Sequence, residues 1–390
     1  MKTMLETHLL KKIVPFWNAQ VDPLYGGFYG YVDADLLTHK EADKGAVKIA
    51  RILYSYAALY NHYQQDVYLD YAKRAYDYIQ NHLLDKTYGG VYWKTTYDGR
   101  PLRTEKHVYA QSFTLYALCE YYQATGDQAV KREALELFEL LEKHACDSKT
   151  GMYWEQFNEA WQPVANCLLA TDVVEPVYTT NVVIHLIEAL TALYRVAKET
   201  QVKIRLNALL DWFCRHIYDA ETGTCQMFFD AHWNGLVDGV SYGHDIETSW
   251  LIDDALDALG IDEHPGRQAA RSMVETCYVK AFSEGWLLSE RNGAVLDTAM
   301  IWWVQAEAMV GFLNHYQRTG DLRYLKAMEE TVITTFNHIV DAREGGEWFW
   351  AVCRQSHEPL PELGISENWK ANYHNIRALL KLIGAKEVPA

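Results

Sequence analysis

Six short segments that combine glycine with aromatic residues recur along the chain, and this repeat constrains the fold more than any other feature. The segments are YGGFYGY at 25–31, YGGVYW at 88–93, TGMYWEQF at 150–157, TGTCQMFF at 222–229, EGWLL at 284–288 and EGGEWFW at 344–350. Their spacing, 61 to 72 residues, is counted between Gly27, Gly90, Gly151, Gly223, Gly285 and Gly346. A unit of this length has room for two helices and a short hairpin, and such units bury their apolar faces by packing against each other.

The stretches between these segments have the periodicity of amphipathic helices. Apolar side chains keep helical spacing at Leu69, Ala72, Ala75, Tyr76 and Ile79, and again at Ala134, Leu137, Phe138 and Leu141. No linker rich in Pro, Gly and Ser divides the chain. We therefore predict one domain that spans residues 1–390.

The two terminal repeats distinguish an open stack of helix pairs from a closed ring. An open solenoid needs polar capping repeats at its ends. Here the first and last segments are as aromatic as the middle ones. The sequence therefore predicts an all-α fold, an (α/α)6 barrel or toroid of six helix hairpins, with short β segments at one end. We expect the aromatic segments at one end and a cavity that opens at the other.

Charge and cysteine content narrow the functional class. The net charge of −16 argues against nucleic acid or an anionic membrane as a partner, because both require a basic surface. Seven scattered cysteines without a CxxC pair are typical of reduced thiols in the cytoplasm, not of disulfides or a zinc site. The N-terminus has no signal-peptide core, and no apolar run reaches 18 residues. The 27 Tyr and 13 Trp fit an aromatic-lined cavity or an aromatic-rich core.

Polar and aromatic residues stand at the starts of the predicted inner helices, each stretch in a different repeat or repeat junction. These candidates are Arg51, Tyr109, Asn181, His185, His244, Glu247, Trp302, Trp303, Glu307, Trp369 and His374. If the inner helices form a ring, all of them point into one central cavity. The tryptophans could stack on a sugar face or belong to the core.

The acidic candidates allow several interpretations. Glu247 lies one helical turn after His244 and could orient its imidazole, or could serve with Asp245 as a helix-capping cluster. Glu307 stands in an apolar helix, where a carboxylate needs a partner, and Arg51 could provide it.

Cofactor motifs are missing from the sequence, and the remaining residues suit proton transfer. There is no HExxH, GxGxxG, GxxxxGK[ST] or GxSxG, although His244, Glu247 and His374 could together ligate a divalent ion. Two carboxylates, Glu247 and Glu307, could hydrolyse a glycoside. Two imidazoles suit removal and return of a proton beside a carbonyl, with the enediolate stabilised by Arg, His or Tyr.

Several of these motifs identify a known family. SYGHDIETSWL, IWWVQAEAMVGF and WKANYHN, in this order after ADKGAVKIARILY and KHVYAQSFTLYAL, resemble the N-acylglucosamine 2-epimerase superfamily, most closely its cellobiose 2-epimerase branch. The resemblance runs nearly from end to end. It implies an isomerase without a cofactor that interconverts reducing-end glucose and mannose in cellobiose- or lactose-type disaccharides through a cis-enediolate.

The resemblance also implies roles for single residues. His244 and His374 match the paired general acid/base histidines, and Glu247 matches the carboxylate that supports the first of them. The sugar-binding and ring-opening positions are matched by Arg51, Tyr109, Asn181, His185 and Glu307. Trp303 and Trp369, with Trp302 beside them, match the aromatic residues that frame the disaccharide.

Three departures from the family pattern keep the substrate open. The last motif is WKANYHNIRAL instead of WKCPYHNGRM, Tyr54 replaces a tryptophan, and the segment 167–181, expected to lie over the sugar, lacks the usual glycine. The alternatives are a monosaccharide (mannose/glucose) 2-epimerase and a mannose–fructose aldose–ketose isomerase. We expect a monomer whose partner is a small-molecule sugar.

Overall fold

A computed structural model describes residues 1–169, 175–360 and 362–385. Most of these residues are helical. The helices are α1 Lys2–His8, α2 Val14–Ala19, α3 Ala46–Tyr63, α4 Asp66–Tyr78, α5 Val108–Thr125, α6 Gln128–His144, α7 Thr180–Ala197, α8 Thr200–Trp212, α9 Tyr242–Leu259, α10 Pro265–Thr276, α11 Trp302–Thr319, α12 Leu322–Thr334 and α13 Tyr373–Gly384. Five π-helical turns follow helices directly, at Leu9–Ile13, Ile79–Leu83, Phe213–Ile217, Cys277–Ala281 and Thr335–Ile339.

Short strands of two or three residues form small antiparallel sheets in the loops. They are β1 Tyr31–Val32, β2 Thr38–His39, β3 Lys44–Gly45, β4 Lys94–Thr95, β5 Pro101–Arg103, β6 Lys106–His107, β7 Gln156–Phe157, β8 Tyr178–Thr179, β9 Tyr218–Asp219, β10 Thr224–Cys225, β11 Phe228–Phe229, β12 Gly239–Ser241, β13 Phe282–Ser283, β14 Trp286–Leu287, β15 Glu290–Asn292, β16 Val295–Leu296, β17 Ala299–Ile301 and β18 Ala351–Cys353. In register, Tyr31 pairs with His39, Lys106 with Phe157, and Met300 with Val352.

Two kinds of helix alternate along the chain. Helices α3, α5, α7, α9 and α11 each have 18 residues and are buried around most of their circumference. Helices α4, α6, α8, α10 and α12 bury one stripe only, as α6 does with Ala134, Leu137, Phe138 and Leu141. This stripe is the one that the helical periodicity predicts.

The buried helices contact one another in a closed cycle. In chain order, α3 contacts α5, α5 contacts α7, α7 contacts α9, α9 contacts α11, and α11 contacts α13. Helix α13 then contacts α3, which completes the cycle. Each buried helix also packs on the amphipathic helix that follows it, and α13 packs on α1 from the other end of the chain.

The two ends of this assembly differ in the length of their connections. Four of the five links from a buried helix to the next amphipathic helix have two residues, such as Gly126–Asp127. At these links Gln64, Lys198 and Gly126 take the left-handed conformation that stops a helix. The links that lead into a buried helix, from α2 to α3 and from each amphipathic helix to the next buried one, are long and contain all the described strands. The N-terminal ends of the buried helices therefore lie among the strands.

The aromatic segments lie at this same end, so the prediction that they lie opposite the cavity is wrong. The carbonyl of Trp93 accepts a hydrogen bond of 3.0 Å from Ala46 N at the start of α3. The carbonyl of Trp350 likewise accepts one of 3.0 Å from Trp302 N at the start of α11. The reason is connectivity, because each aromatic segment lies in the link that leads to the next buried helix, and this link ends where that helix begins.

No helix among the described residues is both long and apolar enough to cross a membrane.

Helices α9 and α11 are in close contact at Gly311. A Cβ there would lie 2.6 Å from Cγ1 and 3.0 Å from the carbonyl oxygen of Ile246. We predict that Gly311→Ala lowers the free energy of unfolding by about 1–3 kcal/mol, because the added methyl overpacks the crossing. Urea unfolding measures this. The control is Gly384→Ala at the exposed end of α13, where a Cβ meets nothing within 4 Å. Equal stability of the Gly311 variant and the parent protein would contradict the prediction.

Candidate active site

A cavity of about 230 Å³ lies among the N-terminal ends of the buried helices. Ten of the eleven candidate residues line it, together with Trp350. The lining residues are Arg51, Tyr109, Asn181, His185, His244, Glu247, Trp302, Trp303, Trp350, Trp369 and His374. The eleventh candidate, Glu307, is fully buried behind His374. The structure thus brings together residues that span more than 300 positions of sequence.

Most of these side chains come from the first turn of a helix. Tyr109, Asn181, Trp303 and His374 are each the second residue of α5, α7, α11 and α13, and His244 is the third residue of α9. Backbone N–H groups in a first helical turn have no intrahelical acceptor, and the helix dipole makes this end positive. The cavity is therefore surrounded by the positive ends of several helices.

His374 is held by a buried carboxylate. Its Nδ1 lies 2.7 Å from Oε1 of Glu307, and Oε2 of Glu307 accepts a hydrogen bond of 2.9 Å from Nε1 of Trp250. Because the carboxylate accepts the Nδ1 proton, Nε2 of His374 carries the free electron pair. Burial lowers the pKa of His374 to about 3, although Glu307 acts in the opposite direction. At neutral pH this imidazole is a neutral base.

His244 has a different partner from the one that the sequence suggested. Its Nδ1 lies 2.7 Å from Oγ of Ser241, whereas Glu247 bonds to Arg377. The expectation that Glu247 orients this imidazole directly is therefore wrong, because the Glu247 carboxyl is directed to a guanidinium. A hydroxyl can donate or accept, so it supports either tautomer of His244. Burial, with His185 and His374 nearby, lowers the pKa of His244 to about 3.

A third histidine of the cavity, His185, also has a carboxylate partner. Its Nδ1 lies 2.9 Å from Oε2 of Glu188, one turn further along α7. Oε1 of the same carboxylate accepts a hydrogen bond of 2.5 Å from the hydroxyl of Tyr373. Burial lowers the pKa of His185 as well.

One buried arginine, Arg377, joins three of the carboxylates. Its Nη2 donates to Oε1 of Glu247 at 2.9 Å and to Oε1 of Glu307 at 2.7 Å, and its Nη1 donates to Glu188. The sequence suggested Arg51 as the partner of Glu307, and Arg377 was not predicted. Like Glu307, Arg377 is a charged residue within an apolar helix, in NYHNIRALL, so the same signal marks it in the sequence.

The three carboxyl groups bonded to Arg377 differ in their pKa values. Burial alone would raise the pKa of Glu307, but Arg377 and His374 outweigh it and lower the pKa to about 2. The pKa of Glu188 is also lowered, because Arg377 and His185 outweigh its burial. Burial and the neighbouring Glu307 raise the pKa of Glu247 well above its ordinary value. Glu188 and Glu307 are therefore ionised at neutral pH, and Glu247 is the most readily protonated of the three carboxyl groups.

Arg51 and Asn181 supply polar atoms for a ligand. Arg51 donates from Nη2 to the Tyr109 hydroxyl at 2.9 Å and from Nη1 to the Trp369 carbonyl, and its guanidinium lies 4.3 Å from the Phe113 ring. Nε of Arg51 and Oδ1 of Asn181 are buried, and neither has a hydrogen-bond partner among the described residues. A buried polar atom without a partner is costly, so these two atoms are suited to bind ligand hydroxyls.

The tryptophans form the aromatic walls. The Trp303 ring lies 4.8 Å from the His244 ring and 5.7 Å from the His374 ring, measured between centroids. One indole thus contacts both histidines. Trp369 packs against Trp93 and is partly exposed, as Trp303 is, whereas Trp302 is buried against Trp350. Trp303 and Trp369 are therefore available for contact with a ligand.

Glu247, Glu307 and His374 could also be considered as metal ligands, since one donor atom from each lies within 4.8 Å of the others. The set suggested by the sequence contained His244 in place of Glu307. Both carboxylates already accept hydrogen bonds from Nη2 of Arg377, and Glu307 also bonds to Nδ1 of His374. A cation there would have to displace a buried guanidinium, so this set of donors fits a proton network better than a metal ion.

A second cavity adjoins the first. It has a volume of about 420 Å³ and shares Asn181 and His244 with the first cavity, and Phe228 and Glu290 are among its other lining residues. Residues Leu169 and Thr179, from the segment predicted to cover the sugar, line it as well, while 170–174 of that segment lie outside the described residues. A larger cavity of about 650 Å³, at the opposite ends of α9, α11 and α13, contains none of the candidates.

Comparison with known proteins agrees with this geometry. The family profile of N-acylglucosamine 2-epimerase (GlcNAc 2-epimerase) matches residues 27–378. The chain is 39% identical to the cellobiose 2-epimerase of Ruminococcus albus, with 97% of each chain covered. The chain belongs to the N-acylglucosamine 2-epimerase family. The resemblance predicted from the sequence, and with it the class of sugar isomerase, is confirmed.

Solved structures of the family have the same fold. The structure of cellobiose 2-epimerase from Bacillus thermoamylovorans superposes with a TM-score of 0.95 at 38% identity, covering 98% of both chains. A D-mannose isomerase superposes with a TM-score of 0.85 at 22% identity, covering 98% of this chain and 97% of the other. At that identity the second likeness shows a shared fold only.

Arg377 should matter more for stability than any surface arginine. Arg377→Met would leave two ionised carboxylates buried without a counter-charge, and we predict a loss of about 3–5 kcal/mol in the free energy of unfolding. The control is Arg195→Met, which breaks a partly exposed pair with Asp254 and should cost less than about 1 kcal/mol. Urea unfolding of both variants measures the difference. Similar losses in the two variants would contradict the prediction.

The protonation of the cavity histidines can be tested directly. Since burial lowers the pKa of His244 and His374 to about 3, their ¹⁵N imidazole shifts should remain those of the neutral ring from pH 8 to pH 5. In the unfolded chain both histidines take up a proton below the ordinary histidine pKa of about 6.5. The free energy of unfolding should therefore fall as the pH drops below that value. Titration of either ring with a midpoint near 6.5 would contradict the assignment.

Proposed function

We propose that this protein interconverts glucose and mannose units at the reducing end of β-1,4 disaccharides of the cellobiose and lactose type, by epimerisation at C2. The observation that carries the proposal is the pair of neutral imidazoles, His244 and His374, in one cavity and in contact with the same indole. Inversion of a carbon beside a carbonyl requires an acid–base group on each face. The named activities of the similar proteins support the choice of substrate.

The first step opens the sugar ring. Arg51 and Asn181 bind the sugar hydroxyls through the buried Nε and Oδ1 that otherwise have no partner, and the Tyr109 hydroxyl, which accepts from Arg51, donates to the sugar. His185, with its Nδ1 held by Glu188, accepts the O1 proton at Nε2 and delivers a proton to O5 as the C1–O5 bond breaks. The products are an aldehyde at C1 and a hydroxyl at C5, and no net proton is consumed.

The second step inverts C2. One histidine removes the C2 proton, the electron pair moves towards O1, and a cis-enediolate forms. The other histidine, protonated from solvent, returns a proton to C2 from the opposite face and becomes neutral again, while the first histidine releases the C2 proton to solvent. The Glu307 carboxylate stabilises the imidazolium on His374, and the Ser241 hydroxyl accepts from Nδ1 of His244 when that ring is charged. Glu247 acts through Arg377, to which it is hydrogen-bonded, as part of the charged network behind the bases.

The adjoining cavity supports a disaccharide as substrate. The first cavity, at about 230 Å³, is smaller than the 300–1,000 Å³ typical of drug-sized ligands and has room for one sugar ring. The second cavity, which shares Asn181 and His244 with it, adds room beside the reacting unit. Trp303 and Trp369 frame the opening.

Two related activities use the same intermediate. A monosaccharide 2-epimerase would act on mannose or glucose alone, and an aldose–ketose isomerase would return the proton to C1 and yield fructose from mannose. The glycoside hydrolase considered above is disfavoured, because Glu307 is fully buried and cannot reach a glycosidic bond.

We also propose that residues 1–390 form one catalytic domain with the architecture of an (α/α)6 barrel. The closed cycle of contacts among α3, α5, α7, α9, α11 and α13 supports it, as does the packing of α13 on α1. The monomeric state and the cytoplasmic location stay predictions from the sequence.

The reaction itself is tested by proton NMR in D₂O after treatment with EDTA. With cellobiose we expect deuterium at C2 and a mannose-type reducing end, because the proton that returns comes from solvent. Exchange with mannose alone would indicate the monosaccharide enzymes, and glucose or fructose as product would separate them. Loss of activity after EDTA, with recovery on addition of a divalent cation, would contradict the cofactor-free mechanism.

The roles of the two histidines are tested one at a time. We predict that His244→Asn and His374→Asn each lower turnover at least about a hundredfold, since each removes one acid–base group. The control is His338→Asn, in a π-helical turn away from the cavity, with turnover unchanged. A variant that retains activity would remove its histidine from the proposed pair.

A further inference from the structure

A buried carboxylate outside the cavity, Glu155, connects the starts of two helices that line it. Glu155 is 2% exposed. Its Oε1 accepts a hydrogen bond of 2.5 Å from Thr179 N. Its Oε2 accepts bonds of 2.6 Å from Nδ2 of Asn166 and of 3.1 Å from the Thr179 hydroxyl.

One branch of this network ends at α7. Thr179 is the N-cap of α7, and its Oγ accepts a hydrogen bond of 3.2 Å from Val182 N. Two residues after the cap, Asn181 faces the cavity. Glu155 therefore holds the residue that fixes where α7, and with it Asn181, begins.

The other branch ends at α5. Oδ1 of Asn166 lies 3.0 Å from Nε2 of His107, and His107 is the N-cap of α5, accepting a hydrogen bond of 3.2 Å from Tyr109 N at its Nδ1. Tyr109 in turn bonds to Arg51 inside the cavity. One carboxylate thus links the caps of two neighbouring helices, each of which presents a candidate sugar-binding residue.

Backbone N–H groups determine which atom donates and which accepts in each hydrogen bond of this network. Tyr109 N can only donate, so Nδ1 of His107 accepts and Nε2 of His107 carries the proton. Oδ1 of Asn166 must then accept, which turns its Nδ2 towards Glu155 as a donor. Thr179 N is a donor as well, so both oxygens of Glu155 are acceptors.

Only an ionised carboxylate satisfies this arrangement fully. No Lys or Arg within the described ranges pairs with Glu155, and the positive ends of α5 and α7 supply the favourable field instead. Burial raises the pKa of Glu155 to about 8, against the hydrogen bonds from Thr179 and Asn166. The ionised form is therefore best examined above that pH.

We propose that Glu155 is a positioning residue, which sets the relative placement of Tyr109 and Asn181 and thereby the binding of the sugar. The proposal rests on the proposed function. Glu155 does not line the cavity and contacts neither His244 nor His374. Its loss should therefore change the KM for cellobiose and leave the proton-transfer step, and hence kcat, nearly unchanged.

A swap of charge between two positions tests the network. In Glu155→Gln the new amide would meet the donor Nδ2 of Asn166, and in Asn166→Asp two carboxylates would face each other. In the double variant the amide at 155 donates to the carboxylate at 166, which still accepts from Nε2 of His107. The contacts with His107 and with Thr179 N and the net charge are then restored, although the hydrogen bond between positions 155 and 166 runs in the opposite direction and the Thr179 hydroxyl loses its acceptor.

At pH 8.5 we expect each single variant to raise KM about tenfold, the effect of roughly 1.4 kcal/mol in binding, with kcat within about twofold of the parent. The double variant should recover KM to within about twofold. The control is Glu133→Gln, a half-buried carboxylate of α6 bonded to Tyr76 and Gln80, with KM unchanged. A double variant as impaired as the singles, parental KM in both singles, or a fall in kcat alone would each overturn the proposal.

Hydrogen exchange separates this proposal from the proposed function. The amides at the starts of α5 and α7, residues 107–112 and 179–184, should exchange faster in the single variants and return to parental rates in the double variant. This readout needs no substrate. Inactivity of the parent protein on cellobiose would overturn the function, whereas unchanged exchange in the single variants would overturn the positioning role.

Discussion

The rest of the candidate site depends on the ion pairs that the buried guanidinium of Arg377 makes with three carboxyl groups. From α13 it reaches Glu188 on α7, Glu247 on α9 and Glu307 on α11, so one side chain connects four of the helices that contact in a cycle. Each carboxylate would be unstable in this interior without it, and Arg377 would be unstable without them. The helices are therefore matched by charge as well as by apolar packing, and a change in any member alters the others.

This shared cation makes the three histidines chemically different. His374 and His185 have ionised carboxylates behind them, each tied to Arg377, whereas His244 has only the Ser241 hydroxyl. A carboxylate stabilises the charged imidazole and fixes one tautomer, while a hydroxyl accommodates both tautomers. The two proposed bases therefore differ. His374 has a fixed orientation and tautomer, whereas His244 can adopt either tautomer, so that the nitrogen facing the substrate is protonated or free as the reaction requires.

Most residues that line the candidate site could be predicted from the sequence, but the contacts that hold them could not. Polar and aromatic groups at the starts of apolar helices stand out because they break a pattern, and this criterion found every residue that lines the cavity except Trp350. Ser241 and Glu155 break no pattern, since a serine before a helix and a glutamate in a loop are common. Their importance arises from tertiary contacts between distant segments. The position of the aromatic segments was mistaken for a related reason, because a spacing of about sixty residues does not show at which end of a helix pair a segment lies.

The placement of the site at the helix N-termini has a chemical consequence of its own. Six of the candidate side chains project from first turns, where unpaired N–H groups and aligned peptide dipoles create a positive field. That field disfavours a proton on His244 and His374 before the substrate arrives, in the same direction as burial. It also favours the negative charge that spreads over O1 and O2 when an enediolate forms. In the proposed mechanism the same backbone arrangement keeps the bases free and stabilises the anion that they generate, so that a neutral imidazole suffices to deprotonate the carbon acid.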